Sequence, residues 1–279
     1  MDDDHAPAPV ATGGVELWLL RLPEHSRKGS SAPRPPAPDA SPLDLSGLDL
    51  SGLDLSVLDD QERARGASFA GPRAAFRYLA AHVLLRRLLA GHLGVTPAQV
   101  RYEREPCRGC GRTHGRPVVA GGEGPGFSLS HSGDLVLAAV AVGSGGPVGV
   151  DVQQVPSPTT ASLCAPRLHP GERAELGNVP YDRLAEAFAQ IWVRTEAYLK
   201  ALGTGLCRPP RRDYLGADAT SRPPGWVVHD LPAGPDHSAA VVVRDGTASP
   251  GPPAVRRILP GALARTSPSA VPAGRGSRK

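Results

Sequence analysis

Three charged residues have the types and spacing needed to act on a phosphate-bearing substrate. Asp151 ends an apolar run at 148–150, where a carboxylate must be solvated, paired or metal-bound. Glu196 and Lys200 lie four residues apart on a predicted helix and therefore share one face. That spacing alone is typical of an ordinary surface ion pair. With Asp151 added, the set indicates a candidate Mg²⁺ site, because Mg²⁺ takes carboxylate and phosphate oxygens.

A second set of residues is suited to holding phosphate. The segment 130–133, Ser-His-Ser-Gly, supplies hydroxyls, an imidazole and a flexible backbone at the start of a predicted strand. Arginine and lysine add charge-assisted hydrogen bonds to phosphate. We therefore expect phosphate groups to be bound by Ser130, His131, Arg77, Arg116 and Lys200. The sequence lacks a P-loop, a dinucleotide-binding glycine motif and a hydrolase nucleophile elbow.

The spacing of the four cysteines is compatible with a metal site. Cys107 and Cys110 form C-x-x-C, and His114 follows four residues later. A structural zinc site needs about four ligands, so Cys164 or Cys207 would have to complete the set. Without a fourth ligand, the simpler interpretation is a loop with two reduced thiols.

Periodicity predicts the elements that position these residues. Apolar runs predict strands, and spacings of three and four residues predict helices. We expect strands at 15–22, 135–142, 148–152, 226–231 and 238–243, with the segment 127–132 leading into the strand at 135–142. Helices are expected at 58–67, 73–92, 170–176 and 183–202. The strands at 135–142 and 148–152, joined by a glycine-rich turn, are predicted to form a hairpin.

The order of these elements predicts an α+β fold with two halves of similar make-up. We expect an N-terminal α/β half at 14–147 and a C-terminal half, with the metal site, at 148–245. Residues 24–56, rich in Pro and Ser and containing a short Leu-Asp-Leu-Ser-Gly repeat, are predicted to be a flexible insertion. Residues 1–13 and the basic tail 246–279 are predicted to be disordered.

Composition narrows the class of protein. The 279 residues are 40% hydrophobic and carry a net charge of +4, which favours an anionic partner. No run approaches the roughly 18–20 apolar residues of a membrane-spanning helix. The N-terminus is acidic where a secretory signal would be basic. We expect a soluble, cytoplasmic protein with no membrane partner.

Three motifs, in this order and at these intervals, resemble the 4′-phosphopantetheinyl transferases of the surfactin-synthetase-activating (Sfp) type. They are Phe-Ser-Leu-Ser-His-Ser-Gly at 127–133, Val-Gly-Val-Asp-Val at 148–152, and Trp-Val-Arg-Thr-Glu-Ala-Tyr-Leu-Lys-Ala-Leu-Gly at 192–203. The segments 76–80 and 115–117 are also similar to that family. The resemblance covers about 57–245 and the first strand.

This resemblance implies two similar α/β halves related by a pseudo-twofold axis, with coenzyme A between them. Asp151 and Glu196 would hold Mg²⁺ against the pyrophosphate, and Glu196, or a water that it positions, would take the proton of a carrier-protein serine. Lys200 would neutralise charge and help 3′,5′-ADP to leave. His131 and Arg77 would bind phosphates of coenzyme A, and Arg116 its adenine end or 3′-phosphate.

Two positions depart from the family pattern. Gln153 stands where the family commonly has a third acidic ligand, so its carbonyl oxygen, or a water, would take that place on the metal. Thr195 stands where the family usually has a lysine. Arg194 is adjacent but points about 100° away on a helix.

The resemblance implies an acyl or peptidyl carrier protein as partner, and such carriers are usually acidic. We expect a monomer acting on nonribosomal peptide or polyketide carriers of secondary metabolism, with fatty-acid carriers still open. Two alternatives are a pseudoenzyme that binds coenzyme A or a carrier without transfer, and a basic nucleic-acid-binding protein. The sequence shows no nucleic-acid reader motif and no clustered aromatics on strands, so we expect no nucleic-acid partner.

Overall fold

The computed structural model describes residues 14–23, 52–143, 146–245 and 253–264, which form a mixed α/β fold. The strands are β1 Gly14–Arg21, β2 Tyr102–Arg104, β3 Pro117–Val119, β4 Phe127–Ser132, β5 Leu135–Val142, β6 Val148–Gln154, β7 Trp226–Leu231, β8 His237–Arg244 and β9 Val255–Ile258. The helices are α1 Asp60–Ala67, α2 Pro72–Leu93, α3 Pro158–Cys164, α4 Pro170–Gly177 and α5 Leu184–Leu202.

The first sheet has the order β4-β5-β1-β9 and is covered by α2. β1 pairs antiparallel with β5, from Gly14 opposite Val142 to Arg21 opposite Leu135. Helix α2 begins with a proline in its first turn and ends at Gly94, whose φ of 65° is left-handed. Its apolar face packs on Val136 and Ala138 of β5. The predicted strand at 15–22 and helix at 73–92 are confirmed.

The second sheet has the order β6-β8-β7, and all of its pairs are antiparallel. Helix α5 packs on one face of this sheet, with Val193 and Ala197 buried against Ala240 and Val242. Gly149 makes the close approach possible, because a Cβ there would lie 1.9 Å from the carbonyl oxygen of Ala197. The predicted helix at 183–202 and strands at 226–231 and 238–243 are confirmed.

The two sheets meet face to face and along one edge. The faces turned away from α2 and α5 form one apolar core, which includes Leu17, Leu137, Val150 and Val241. At the edge, alternate serines of β4 bond to the backbone of β6, and we call these residues the serine ladder. The hydroxyls of Ser128, Ser130 and Ser132 accept from the amides of Val150, Val152 and Gln154, at 3.0, 3.3 and 3.0 Å.

The predicted hairpin between 135–142 and 148–152 is wrong. β5 pairs with β4 and β1, whereas β6 pairs with β8 in the other sheet. A strand that is apolar on both faces is recognisable as buried, but its side chains do not specify which strand lies beside it. The hairpin in this region is instead β4–β5, joined by Gly133 and Asp134.

Two predicted flexible regions contain ordered structure. Within the tail assigned to 246–279, β9 pairs parallel with β1, and Leu263 is 1% exposed. Within the insertion assigned to 24–56, Leu53 is buried, and the amide of Asp54 donates to the carbonyl of Leu263 at 2.9 Å. These segments contain few apolar residues. Those few are enough to order them, because they pack on α2 or the first sheet. Residues 1–13, 24–51, 144–145, 246–252 and 265–279 lie outside the described residues.

Among the described residues, none of the helices combines the length and the apolar character needed to cross a membrane.

Candidate functional site

Asp151 is the centre of a buried polar contact between the two sheets and α5. It lies on the α5 face of β6 and is 6% exposed. Its Oδ1 accepts from Ser130 Oγ at 2.7 Å and from Lys200 Nζ at 2.7 Å. Lys200 Nζ also donates to the carbonyl oxygen of Val150 at 3.0 Å. The charge of Asp151 is therefore balanced and its orientation is set from both sides.

Glu196 lies one turn before Lys200 on α5, next to this ion pair. Burial raises the pKa of Glu196, and the nearby carboxylate of Asp151 raises it further, while Lys200 acts in the opposite direction. Among the described residues, no group donates a hydrogen bond to the Glu196 carboxylate. Two carboxylates thus share a half-buried space with one lysine, an arrangement that a further cation would stabilise.

Gln153 lies two residues beyond Asp151 on β6, so the two side chains leave the same face of the strand. Its side-chain nitrogen donates weakly to the carbonyl of Gln154 at 3.4 Å, which leaves the side-chain oxygen available. Asp151, Glu196 and Gln153 together offer only oxygen ligands. This donor set fits Mg²⁺, which binds carboxylate and amide oxygens and retains several waters.

Arg77 and His131 lie together on the other side of β4. Arg77 of α2 donates from Nη1 to the carbonyl of Gly133 at 2.8 Å. Burial lowers the pKa of His131 to about 4, with Arg77, His82 and Lys200 adding to the effect. Arg77 Nε and His131 Nδ1 are buried and have no hydrogen-bond partner among the described residues. The lowered pKa leaves His131 neutral near pH 7, so Arg77 carries the positive charge here. A charged guanidinium with an unpaired N–H is suited to binding an anion.

The turn that Arg77 contacts requires a glycine. Gly133 has a φ of 57°, and a Cβ there would lie 2.5 Å from Nε2 of His237. This left-handed turn lets β4 reverse into β5 directly after His131. The Gly of the Ser-His-Ser-Gly segment therefore shapes the hairpin that presents His131.

Arg116 lies apart from Arg77 and His131. Its Nε and Nη2 bind the carboxylate of Glu105 at 3.0 Å each, and Nη1 donates to the carbonyl of Ala201 at 3.4 Å. These contacts hold it at the C-terminal end of α5, with its charge already paired. Among the described residues, no contact joins Arg116 to Arg77 or His131.

The hydroxyl of Ser130 bonds to groups within the protein. Its hydroxyl donates to Asp151 and accepts from the amide of Val152, so its donor is used before any ligand arrives. The sequence prediction treated Ser130 as a phosphate ligand and missed its contact with Asp151. The signal was the spacing of Ser128, Ser130 and Ser132, which places three hydroxyls on one face of a strand.

The two residues before Glu196 in the sequence have partners other than the carboxylates. Thr195 is 1% exposed, and its hydroxyl donates to the carbonyl of Ile191 at 3.0 Å. Arg194 forms an ion pair with Asp230, with Nε 2.7 Å from Oδ1. Arg194 therefore does not replace a lysine at position 195.

A fourth potential metal ligand lies beside the cysteine motif. Cys107, Cys110 and His114 lie close to Cys207, whereas Cys164 is on α3 and outside the group. Sequence spacing could not choose between Cys164 and Cys207.

Comparisons with known proteins agree with the sequence motifs. Residues 147–227 match the model of the 4′-phosphopantetheinyl transferase superfamily. The chain is 32% identical over 151 residues to the 4′-phosphopantetheinyl transferase HetI of Nostoc sp., an alignment covering 53% of this chain and 60% of HetI. It is 31% identical to a putative 4′-phosphopantetheinyl transferase of Synechocystis sp., covering 52% of this chain and 57% of that protein.

A third relative is matched over more of its length. The 4′-phosphopantetheinyl transferase psf-1 of Bacillus pumilus is 28% identical over 192 residues, covering 68% of this chain and 74% of psf-1. The chain spans about three fifths of the Nostoc and Synechocystis relatives.

Proposed function

We propose that this chain, whose residues 147–227 match the 4′-phosphopantetheinyl transferase superfamily, transfers the 4′-phosphopantetheine group of coenzyme A to a serine of an apo carrier protein, as its similarity to transferases of that name suggests. The observation that carries this proposal is the meeting of Asp151, Glu196 and Lys200 where β6 crosses α5. The cationic Arg77 beside His131, each with a buried nitrogen that lacks a hydrogen-bond partner among the described residues, supports the anionic substrate.

Asp151, Glu196 and Gln153 would hold Mg²⁺. When bound, the metal supplies positive charge to the pyrophosphate of coenzyme A and orients it. Ser130 and Lys200 fix the carboxylate of Asp151, so this ligand is oriented before the metal binds.

In the transfer step, the carrier serine oxygen attacks the β-phosphorus of coenzyme A, and the bond to the leaving phosphate of 3′,5′-ADP breaks. Glu196 accepts the serine proton, directly or through a water that it positions. Lys200 neutralises the negative charge that develops on the leaving group. Such a displacement needs alignment and charge stabilisation more than covalent help from the protein.

Arg77 and His131 would bind phosphates of coenzyme A. Arg77 has two nitrogens not used by Gly133, and a bidentate guanidinium matches phosphate geometry. Arg116 would contact the adenine end or the 3′-phosphate, for which it would have to share its charge with Glu105.

We further propose that the chain forms two halves related by an approximate twofold axis, with coenzyme A between them. The first half is β1–β5 with α2, and the second is β6–β8 with α5. In support, each half is a sheet covered by one long helix, and the charged groups lie where the serine ladder joins the halves. The protein would act as a cytoplasmic monomer.

The carrier would be an acyl or peptidyl carrier protein. The net charge of +4 suits an acidic carrier. Relatives from Bacillus and Aneurinibacillus are named 4′-phosphopantetheinyl transferases, and the resemblance to the Sfp type favours carriers of nonribosomal peptide or polyketide synthesis.

The test is intact-mass spectrometry of apo carrier proteins incubated with this protein, coenzyme A and Mg²⁺. We expect a mass gain of one phosphopantetheine on the carrier, lost when its serine is replaced by alanine or when a metal chelator is added. No gain on peptidyl, polyketide and fatty-acid carriers, despite coenzyme A binding, would contradict the proposal.

Gln153 favours a second candidate, a weakened enzyme that mainly binds coenzyme A or a carrier. Gln153→Glu would add the charge that the present donor set lacks. A large gain in transfer rate in this variant would identify the wild-type site as impaired, whereas an unchanged rate would support Gln153 as an adequate ligand.

A further inference from the structure

Four metal-binding side chains come together from two distant parts of the chain. Cys107, Cys110 and His114 lie in the loop between β2 and β3, and Cys207 ends the 3-10 turn Gly205–Cys207 that follows α5. Their ligand atoms all lie within 4.8 Å of one another. Cys107 is buried, and the other three are exposed.

Two separations within this cluster match tetrahedral zinc, and all of them lie within 4.8 Å. With Zn–S near 2.3 Å and Zn–N near 2.0 Å, tetrahedral ligand atoms lie about 3.6–3.8 Å apart. Cys207 Sγ is 3.7 Å from Cys110 Sγ and 3.6 Å from His114 Nε2. Cys110 Sγ is 3.0 Å from His114 Nε2, which a bound ion would lengthen slightly.

The loop is shaped to present the first sulfur as a thiolate. The amide of Gly109 points at Cys107 Sγ at 3.4 Å, and such amide donors stabilise negative charge on sulfur. The amide of Gly111 donates to the carbonyl of Cys107 at 2.7 Å. This tight turn brings Cys110 back beside Cys107.

The same loop is docked on the end of α5. The amide of Arg108 donates to the carbonyl of Gly203 at 3.4 Å, and Cys107 Sγ lies 3.6 Å from the carbonyl oxygen of Thr204. Arg116, two residues after His114, contacts the carbonyl of Ala201. The cluster therefore lies at the junction of the β2–β3 loop with α5.

A disulfide explains the arrangement less well. A Cys110–Cys207 bond needs about 2.05 Å between the sulfurs, against 3.7 Å here. It would also leave Cys107 and His114 without a reason to face the pair.

We propose that the thiolates of Cys107, Cys110 and Cys207 and Nε2 of His114 bind one structural Zn²⁺. All four positions come from protein, which is the pattern of a structural and not a catalytic zinc. Binding releases the thiol protons. The ion fastens the β2–β3 loop, and with it Arg116, to the C-terminal end of α5. This inference does not depend on the proposed transfer activity.

The first experiment measures zinc per chain in protein purified without chelating steps and without a histidine tag. We expect about one zinc in the wild type and in Cys164→Ser, the matched control whose cysteine lies outside the cluster. Cys207→Ser and His114→Ala should lose most of it, and His114→Cys should retain it, because a fourth thiolate also suits zinc.

The second experiment uses wild-type protein alone, so it holds even if a variant fails to fold. After Co²⁺ replaces the native metal, we expect visible absorption bands of a tetrahedral sulfur-rich site. Zinc below about a tenth of an equivalent after incubation with ZnCl₂, or a Cys110–Cys207 disulfide found by non-reducing peptide mapping, would overturn the proposal. Both readouts are independent of phosphopantetheine transfer.

Discussion

The two sheets carry opposite charges to their common edge. The first sheet and α2 supply the cationic Arg77 and the imidazole of His131, which is neutral near pH 7; Arg77 Nε and His131 Nδ1 are buried and lack a hydrogen-bond partner among the described residues. The second sheet and α5 supply Asp151 and Glu196, two carboxylates with Lys200 as the nearby cation. A polyanion bound with a divalent metal would satisfy both regions at once. Neither half alone contains a complete site.

The largest expected effect is on the transfer rate, and it comes from changing Glu196. In Glu196→Gln, transfer should fall about 10³-fold, because the negative charge of a metal ligand and the proton acceptor are both lost. Stability should not fall, since burial raises the pKa of Glu196 and the charged form is penalised in the folded state. Steady-state transfer rates and thermal unfolding at neutral pH check the two outcomes. An active variant would exclude Glu196 from the chemistry.

In the group formed by Arg77 and His131, Arg77→Ala should raise KM for coenzyme A about tenfold or more, with a smaller change in kcat. The reason is the loss of a charge-assisted contact to phosphate, worth about 1.5–3 kcal/mol. Arg116→Ala is the matched arginine variant and should change KM less, because Glu105 already pairs its charge. A larger effect for Arg116 than for Arg77 would reverse our assignment.

At the edge between the sheets, Ser130→Ala should lower the free energy of unfolding by about 1–3 kcal/mol. It removes the donor to Asp151 and the acceptor for the buried amide of Val152. Ser132→Ala, where the ladder bond is exposed, should cost about 0.5 kcal/mol or less. Urea unfolding of both variants checks this difference, and equal losses would contradict the positioning role of Ser130.

The smallest effect is on pH dependence. His131 has a pKa of about 4 in the folded protein and an ordinary value of 6.5, so the unfolded chain binds the proton first as pH falls. Stability should therefore decrease from pH 6.5 down to about 4. His131→Gln should weaken this slope relative to the wild type, as measured by urea midpoints at several pH values. Identical slopes would show that His131 is not the group responsible.

Much of the fold could be predicted from local patterns. The apolar spacing of Phe76, Leu79 and Val83 identified α2, and Gly94 and Gly203 marked the ends of α2 and α5. Sheet order was harder to obtain, because β5 is apolar on both faces and gives no sign of its neighbours. β9 was missed because its four residues include two arginines and gain stability only by pairing with β1.

Sequence patterns named the residues that meet in the candidate site, but they did not predict the contacts between those residues. Asp151 and Glu196 were recognisable from their elements and motifs, although 45 residues separate them. The bond from Ser130 to Asp151 and the pairing of Arg194 with Asp230 depend on sheet packing, which local sequence does not encode. Cys207 joined the cysteine loop for the same reason, since it is 93 residues from His114.

The central claim is that the carboxylates beside α5 and the Arg77 group beside α2 bind one substrate together. The most direct test is calorimetric titration of the protein with coenzyme A, with and without Mg²⁺. In the wild type, Mg²⁺ should tighten binding, because the metal links the acidic side to the pyrophosphate. Glu196→Gln should bind coenzyme A equally with and without Mg²⁺, whereas Arg77→Ala should bind more weakly in both conditions and still respond to Mg²⁺. If Mg²⁺ tightens binding equally in Glu196→Gln and the wild type, the metal does not lie between Asp151 and Glu196, and the account is wrong.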